Sequence, residues 1–240
     1  ACYLTGSPTL GFLAGAGGGA VVAAIMAILC VRLGLNQIVI GIALTLGAEG
    51  MTALLHYVQF SKTYPRLDAV ETTAIPLLSR LPVLGDAFFD RPLVVYFALI
   101  MVGVMIYLYR NTHLGAALQA AGDKPAALDA AGVDVISTRS FAVLSAGLFA
   151  GLGGAFMAIV GAGIFVPFMT HGNGFIGIVL AMLARGKPLW VLFGALLFGA
   201  SLSMTTALQV AGVDIPTDVI QMLPFAMVML VLVLAGRKAS

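Results

Sequence analysis

Long apolar runs constrain this chain more than any other feature of its sequence. A helix needs about 20 predominantly apolar residues to cross the hydrocarbon core of a bilayer. Six runs approach that length, at residues 9–31, 37–58, 93–109, 140–166, 189–208 and 220–235. Charged residues make up 9% of the chain, whereas an ordinary soluble domain has about 25%. The sequence therefore predicts an all-α protein, a polytopic transmembrane helical bundle that occupies residues 1–240 as a single domain.

The basic residues exclude one class of function and orient the bundle. A net charge of +2 over 240 residues, without a cluster of Lys and Arg, offers no surface for nucleic acid. Short loops on the cytoplasmic side of a membrane retain Lys and Arg. If residues 110–139 are cytoplasmic, eight of the twelve basic residues lie inside. The other four fall in one long outer loop, residues 59–92.

The interval 110–139 is too polar to cross a membrane, but its Ala and Leu residues recur at helical spacing. It predicts a hairpin of two short helices at the membrane surface. Between them, Gly122 is expected to close the first helix, Asp123 to cap the second, and Pro125 to occupy the first turn of the second. A compact helical hairpin of this kind suits the docking of a partner.

The apolar piece at 174–184 is about half the length of a span. The basic residues that follow it lie inside only if this piece returns the chain to the cytoplasm, so we expect a broken crossing. Broken helices line cavities and often mark a transport path. Thr170, Asn173 and Phe175 stand near the start of the half-helix, whose N–H groups could meet solute oxygens.

The second run carries a polar stripe. Thr45, Glu49, Thr52 and His56 are spaced four, three and four apart, so they share one face of a helix. An ionised carboxylate at mid-span costs about 2.5 to 3.5 kcal/mol or more, so Glu49 is expected to avoid lipid. Two interpretations stay open: the stripe lines a solute path, or it is a structural hydrogen-bond cluster with His56 at the outer interface.

Small residues recur at helical spacing on two of the runs, which predicts close packing of two helices rather than a binding site. They are Gly11, Gly15 and Gly19 on the first run, and Gly147, Gly151, Gly154 and Ala158 on the fourth. Farther along, Ser201 and Thr205 are one turn apart, and hydroxyls there can bond to the carbonyls of the preceding turn.

Motifs for catalysis and for metal binding do not occur in the sequence. Gly186-Lys187 is followed by proline, so the nucleotide-binding loop G-x-x-x-x-G-K-[ST] is missing. Neither G-x-S-x-G nor H-E-x-x-H is present. His56 and His171 lack a third ligand, so no metal site is expected. We predict that this chain is not an enzyme and carries no cofactor of its own.

Four segments together resemble the permease subunits of ABC importers, in the superfamily of branched-chain amino acid and ribose permeases. They are VRLGLNQIV at 31–39, GDKPAALDAAG at 122–132, MTHGNGFI at 169–176 and MLPF at 222–225. The chain is most similar to the simple-sugar and nucleoside permeases that work with binding lipoproteins of the basic-membrane-protein type. The segments span nearly the whole chain.

The resemblance implies a subunit of an importer in the bacterial inner membrane that moves a nucleoside, simple sugar or similar polar solute by alternating access. The expected partners are a second permease subunit, two ATP-binding subunits that hold ATP and Mg²⁺, and an outer solute-binding lipoprotein. Residues 110–139 then look like the coupling loop. Its coupling residues would be Gly115, Gly122, Asp123, Lys124, Pro125 and Gly132.

In that family the solute path runs between two permeases, and full-length members have further N-terminal spans, so we expect such spans to be missing here. The path residues expected in this chain are Thr45, Glu49, Thr52, His56, Thr170, Asn173 and Phe175. Thr45 stands where such permeases often have Asn, and Glu49, His171 and Asn173 also depart from the family pattern. The alternative from another class is a secondary transporter that an ion gradient drives through Glu49.

Overall fold

The computed structural model describes residues 2–67, 73–74, 90–170, 172–184 and 186–210, and helices dominate it. In chain order the elements are α1 (Cys2–Thr5), α2 (Pro8–Met26), α3 (Gln37–Phe60), β1 (Thr73–Ala74), β2 (Asp90–Arg91), α4 (Leu93–Asn111), α5 (His113–Asp123), α6 (Pro125–Ala130), α7 (Val135–Phe156), α8 (Asn173–Ala184) and α9 (Pro188–Val210). A π-helical turn continues α2 over Ala27–Arg32, and another continues α7 over Met157–Gly161.

Within the described residues, four helices are long and apolar enough to cross a membrane: Pro8–Arg32, Gln37–Phe60, Leu93–Asn111 and Val135–Gly161. The first four predicted runs and the all-helical class are thereby confirmed. The fifth run coincides with α9, and the sixth, 220–235, lies outside the described residues. The fourth helix begins at Val135 instead of residue 140, so the connection between α4 and α7 is shorter than the predicted 110–139.

Capping residues explain where two of these helices begin. Asn36 Oδ1 accepts hydrogen bonds from the amides of Ile38 (2.9 Å) and Val39 (3.3 Å), after a turn in which Gly34 has φ +68°. Asp134 accepts from the amides of Ile136 and Ser137, both at 3.1 Å. Because the first amides of a helix have no partner inside it, such side chains fix its starting point.

The described residues divide into two compact units. The first contains residues up to 101 and from 107 to 170, and its core is an antiparallel pair formed by α2 and α7. The second contains residues 102–106 and those from 172 onward, including α8 and α9.

Glycines bring α2 and α7 into backbone contact. A Cβ on Gly19 would overlap the carbonyl oxygen of Gly147 and lie 2.8 Å from the Cα of Gly151. A Cβ on Gly15 would lie 2.7 Å from the Cβ of Ala155. The predicted packing role is therefore confirmed for these glycines. Gly154 differs, because a Cβ there would meet nothing within 4 Å.

A short antiparallel ladder lies in the predicted outer loop, an addition to the expected helices. It pairs Thr73 with Arg91 and Ala74 with Asp90. Residues 68–72 and 75–89 of the predicted loop lie outside the described part of the chain. Nearer α3, the amide of Leu67 donates to the carbonyl of Gly163 at 2.7 Å, which joins the segment after α3 to the segment after α7.

In the second unit, α8 and α9 form a helical pair around a turn in which Gly186 has φ +72°. A Cβ on Gly194 would lie 2.7 Å from Cδ2 of Leu180, so this glycine seats α9 against α8. With 12 residues, α8 is about 18 Å long. It is too short for a full crossing, as expected from the length of its apolar run.

Candidate functional site

The polar stripe on α3 uses part of its hydrogen-bonding capacity within the helix. The Thr45 hydroxyl donates to the carbonyl of Gly41 at 2.9 Å. The Thr52 hydroxyl donates to the carbonyls of Ala48 (2.8 Å) and Glu49 (3.0 Å). Both protons are therefore engaged, but each hydroxyl oxygen keeps lone pairs with which it can accept a hydrogen bond.

His56, the last residue of the stripe, lies among aromatic rings. Its imidazole is 8% exposed and stacks on Tyr64, with ring centroids 5.1 Å apart and planes 23° apart. Phe60 and Phe165 lie at 5.4 and 5.8 Å. No described residue is a hydrogen-bond partner of its Nε2 atom. A buried polar atom left without a hydrogen bond costs about 1 to 3 kcal/mol.

A cavity of about 600 Å³ adjoins His56 in the first unit. Thr52, His56 and Gln59 supply polar groups to its wall, while Tyr3 and Phe165 supply aromatic ones. The wall formed by α7 and its π-helical turn contains Gly151, Gly154 and Ala158. Of these, Gly154 leaves open space, because a Cβ there would meet nothing within 4 Å. The dimensions suit a small organic molecule.

Two of the four residues of the polar stripe line this cavity. Thr52 and His56 line it, whereas Thr45 and Glu49 are not among its lining residues. Glu49 is half-buried, and within the described part of the chain its carboxylate forms no hydrogen bond or ion pair. The helical spacing correctly identified a shared face, but it could not tell which part of that face other elements cover.

The residues around the predicted broken crossing fall in different units. Thr170 belongs to the first unit, and Asn173 is the first residue of α8 in the second unit. The amide of Phe175 donates to the carbonyl of Gly172 at 2.9 Å, and the Phe175 ring is 65% exposed. His171 and the side chains of Thr205 and Gln209 lie outside the description. Ser201 donates to the carbonyl of Leu197 at 3.0 Å, as predicted.

Two short helices, α5 and α6, form the predicted hairpin. Thr112 begins α5: its hydroxyl oxygen accepts from the amide of Gly115 at 3.1 Å and donates to the carbonyl of Leu108 at 2.7 Å. Gly115 is buried, and a Cβ there would overlap that Leu108 carbonyl and lie 2.7 Å from the Cα of Tyr109. Gln119 Nε2 donates to the carbonyl of Tyr109 at 3.2 Å. The first half of the hairpin is thus fastened to the end of α4.

The joint between α5 and α6 differs from the prediction in two respects. Gly122 is a regular residue of α5 without positive φ, so it does not close that helix. Asp123 ends α5 and does not cap α6, because the N-cap position belongs to Lys124 (φ −144°, ψ 69°). The placement of Pro125 in the first turn of α6 is confirmed. Gly122, Asp123 and Lys124 are exposed.

The glycine that ends a helix here is Gly132. It has φ +79°, and its amide donates to the carbonyl of Asp129 at 2.9 Å while that of Val133 donates to Leu128 at 3.2 Å. This is a Schellman motif, in which the residue after the helix adopts a left-handed backbone conformation that glycine reaches without strain. A Cβ on Gly132 would meet nothing, so its backbone angle is what requires glycine there.

Two charged residues act at the start of α7: Asp134 caps this helix, and Arg139 joins it to the hairpin. Hydrogen bonds from the Ser137 hydroxyl, then from the Ser137 and Ile136 amides, lower the pKa of the Asp134 carboxyl, and Arg32 adds a smaller effect in the same direction. Arg139 donates from Nε (3.1 Å) and Nη2 (2.9 Å) to the carbonyl of Ala121. The sequence interpretation missed the contact between Arg139 and the Ala121 carbonyl. Pro125 signals that this carbonyl needs a partner, because proline has no N–H to donate to the residue four positions before it.

Metal binding has no support in the described ranges, where no three His, Cys, Asp or Glu side chains lie close enough to hold an ion. The two sites that remain are the His56 cavity and the exposed joint of the hairpin.

The fold defines a multi-pass helical membrane protein, and comparison with known proteins narrows the class. Residues 1–232 match the family described as branched-chain amino acid transport system, permease component. The chain belongs to this family. No solved structure matches it significantly.

Three relatives are permeases by name. A protein of Haloferax volcanii, provisionally named a glucose ABC transporter permease, is 36% identical over 203 residues, 82% of this chain. A nucleoside ABC transporter permease of Lactococcus lactis is 31% identical over 97% of the chain, and a guanosine ABC transporter permease of Bacillus subtilis is 30% identical over 94%. The aligned parts make up 60%, 75% and 72% of these three relatives, respectively. None of these names supports the alternative of a secondary transporter driven through Glu49.

Proposed function

We propose that this chain is a permease subunit of an ATP-driven importer, and that it moves a nucleoside, simple sugar or similar small polar solute into the cell by alternating access. Membership in the permease family, with relatives named for glucose, nucleoside and guanosine transport, supports this function. The chain itself is not an enzyme in this proposal. ATP and Mg²⁺ belong to two ATP-binding partner subunits, and the solute arrives on an outer binding lipoprotein.

The observation that carries the proposal is the construction of the α5–α6 hairpin. Its first helix, α5, is fastened to α4 through Gln119 and to α7 through the Ala121 carbonyl, while Gly122, Asp123 and Lys124 are exposed at the joint with α6. A rigidly mounted, exposed pair of opposite charges is a suitable contact for a partner. We assign the hairpin to the cytoplasmic side of the cell (inner) membrane, where the ATP-binding subunits would contact Asp123, Lys124 and Pro125.

Reversing both charges at the joint, with Asp123→Lys and Lys124→Glu together, is expected to reduce ATP-dependent uptake by about fivefold or more. The reason is that like charges would then oppose those of the partner, while no described contact inside the chain is lost. Uptake into proteoliposomes and ATPase activity should be measured on the assembled transporter. The matched control is Asp123→Glu with Lys124→Arg, which keeps both charges. Unchanged uptake in the charge-reversed transporter would overturn the coupling assignment.

For the solute path we propose the cavity beside His56. The Nε2 atom of His56, which has no hydrogen-bond partner among the described residues, would bond to a polar solute, and the Thr52 hydroxyl would accept a second hydrogen bond. His56→Phe keeps the ring stack on Tyr64 and removes the nitrogen. We expect the KM for uptake to rise about tenfold, which corresponds to the loss of one hydrogen bond. Thermal stability should not fall, because a buried unpaired nitrogen has been removed.

Two further variants test the rest of the stripe. Thr45→Val and Glu49→Gln alter the part of α3 that does not line the cavity. If they raise the KM while His56→Phe does not, the path runs along the other part of the α3 face and the cavity assignment is wrong.

A further inference from the structure

Pro125 leaves a gap in the hydrogen bonding of the hairpin. In a continuous helix the amide of residue 125 would donate to the carbonyl of Ala121, but proline has no N–H. The neighbouring carbonyl of Ala120 does receive the amide of Lys124, at 2.9 Å. Ala121 is 3% exposed, so water has little access to it. Its carbonyl oxygen therefore needs a partner from elsewhere in the chain.

Arg139 supplies that partner from the second turn of α7. Nε and Nη2 donate at 3.1 and 2.9 Å to the same oxygen. Hydrogen bonds from a charged donor are about twice as strong as those between neutral groups, and the planar guanidinium fixes the direction of approach, which a lysine ammonium could not do. Among the residues that the structure describes, these are the hydrogen bonds that join α5 to α7.

Farther along its length, α7 is bound to α2 by backbone contacts. Gly147 and Gly151 face Gly19 and Gly15 so closely that no Cβ fits between the helices. A displacement of α5 that acts through Arg139 would therefore move α7 and α2 together, because close-packed helices shift as units and do not deform continuously.

We propose that Arg139 is a positioning residue that transmits movement of the α5–α6 hairpin to the α2–α7 pair. The inference rests on the proposed function, in which the hairpin is the contact for the ATP-binding subunits. Arg139 then has two separable roles: it satisfies the Ala121 carbonyl, and it connects two helices. An amide at position 125 could replace the first role but not the second.

A double-mutant cycle separates these roles. Arg139→Met removes the guanidinium. Pro125→Ala restores an N–H, which donates to the Ala121 carbonyl once Lys124 exchanges its φ −144°, ψ 69° for helical angles. Wild type, both single variants and the double variant are to be assembled with the partner subunits. Hydrogen exchange of the α5–α6 amides reports how firmly the hairpin is held, and solute imported per ATP hydrolysed reports coupling.

We expect Arg139→Met to speed exchange in the hairpin about tenfold, since a charge-assisted hydrogen bond is lost. Exchange in the double variant should return toward that of Pro125→Ala alone. Coupling should behave differently: Arg139→Met should lower solute imported per ATP about fivefold or more, and by the same factor whether residue 125 is Pro or Ala.

Recovery of coupling together with slow exchange in the double variant would show that Arg139 only caps a carbonyl, and would overturn the proposal. Unchanged coupling in Arg139→Met would overturn it as well. The exchange results stand independently of the proposed function, which fails separately if charge reversal at Asp123 and Lys124 leaves uptake unchanged.

Discussion

Replacing Gly19 with alanine is expected to destabilise the folded protein by about 1 to 3 kcal/mol, the usual cost of overpacking a filled interior. The new methyl group would overlap the carbonyl oxygen of Gly147 and lie 2.8 Å from the backbone of Gly151. Backbone atoms cannot turn aside as a flexible side chain can. The helices would have to separate along their length, and thermal unfolding of the purified protein in detergent would detect the loss.

The neighbouring residue provides a matched control. Gly18 is on the same helix, and a Cβ there would meet nothing within 4 Å. Gly18→Ala should leave the unfolding temperature unchanged or raise it, since alanine favours a helix over glycine by about 1 kcal/mol. Equal unfolding temperatures for the two variants would contradict the close contact of α2 with α7. A Gly19→Ala, Gly147→Ala pair should cost less than the sum, because the first separation makes room for the second.

Gly115→Ala is expected to loosen the hairpin and lower the unfolding temperature, again at a cost of about 1 to 3 kcal/mol. Its methyl group would overlap the carbonyl of Leu108 at the end of α4. To avoid this overlap, α5 would have to move away from α4, which would break the hydrogen bonds that Thr112 and Gln119 form with the carbonyls of Leu108 and Tyr109. Increased hydrogen exchange in α5, together with a lower unfolding temperature, would show this.

Gly122→Ala is the same substitution on the same helix, and a Cβ there meets nothing within 4 Å. We expect no loss of stability from it. If the two variants behave alike, Gly115 is not held against α4 as described. The two glycines also differ in environment: Gly115 is buried where α5 meets α4, whereas Gly122 is exposed at the joint of the hairpin.

The spans could be predicted from sequence because burial in lipid demands long apolar runs, and such runs are visible without knowledge of contacts. The start of α7 was misplaced because the turns over 135–139 contain polar residues, which read as loop. The Asp134 cap, accepting the amides of Ile136 and Ser137, decides the boundary instead. A capping residue can be identified from sequence only after the helix that it begins has been located.

The hairpin shows a second limit. Gly122 and Gly132 both fit the composition of a helix end, but only Gly132 adopts positive φ. Local sequence does not distinguish them, because Pro125 can end α5 without help from a glycine. The environment of His56 was equally hidden, since Tyr64 and Phe165 come from segments after α3 and after α7. Helical spacing shows which residues share a face, but only tertiary contacts show what packs against it.

The α2–α7 pair differs along its length, because glycine contacts occupy its middle and a π-helical turn follows each helix. Where the glycine backbones of α2 and α7 touch, no side chain lies between the two helices that could change rotamer and absorb strain. We therefore expect this part of the pair to move as a rigid unit. Ala27–Arg32 continues α2 and Met157–Gly161 continues α7. Because the two helices are antiparallel, the π-helical turns lie at opposite ends of the pair. Single π turns often occur at functional positions in helices. We expect bending during a transport cycle to concentrate at these two joints, one near each face of the membrane, and to leave the glycine contact intact.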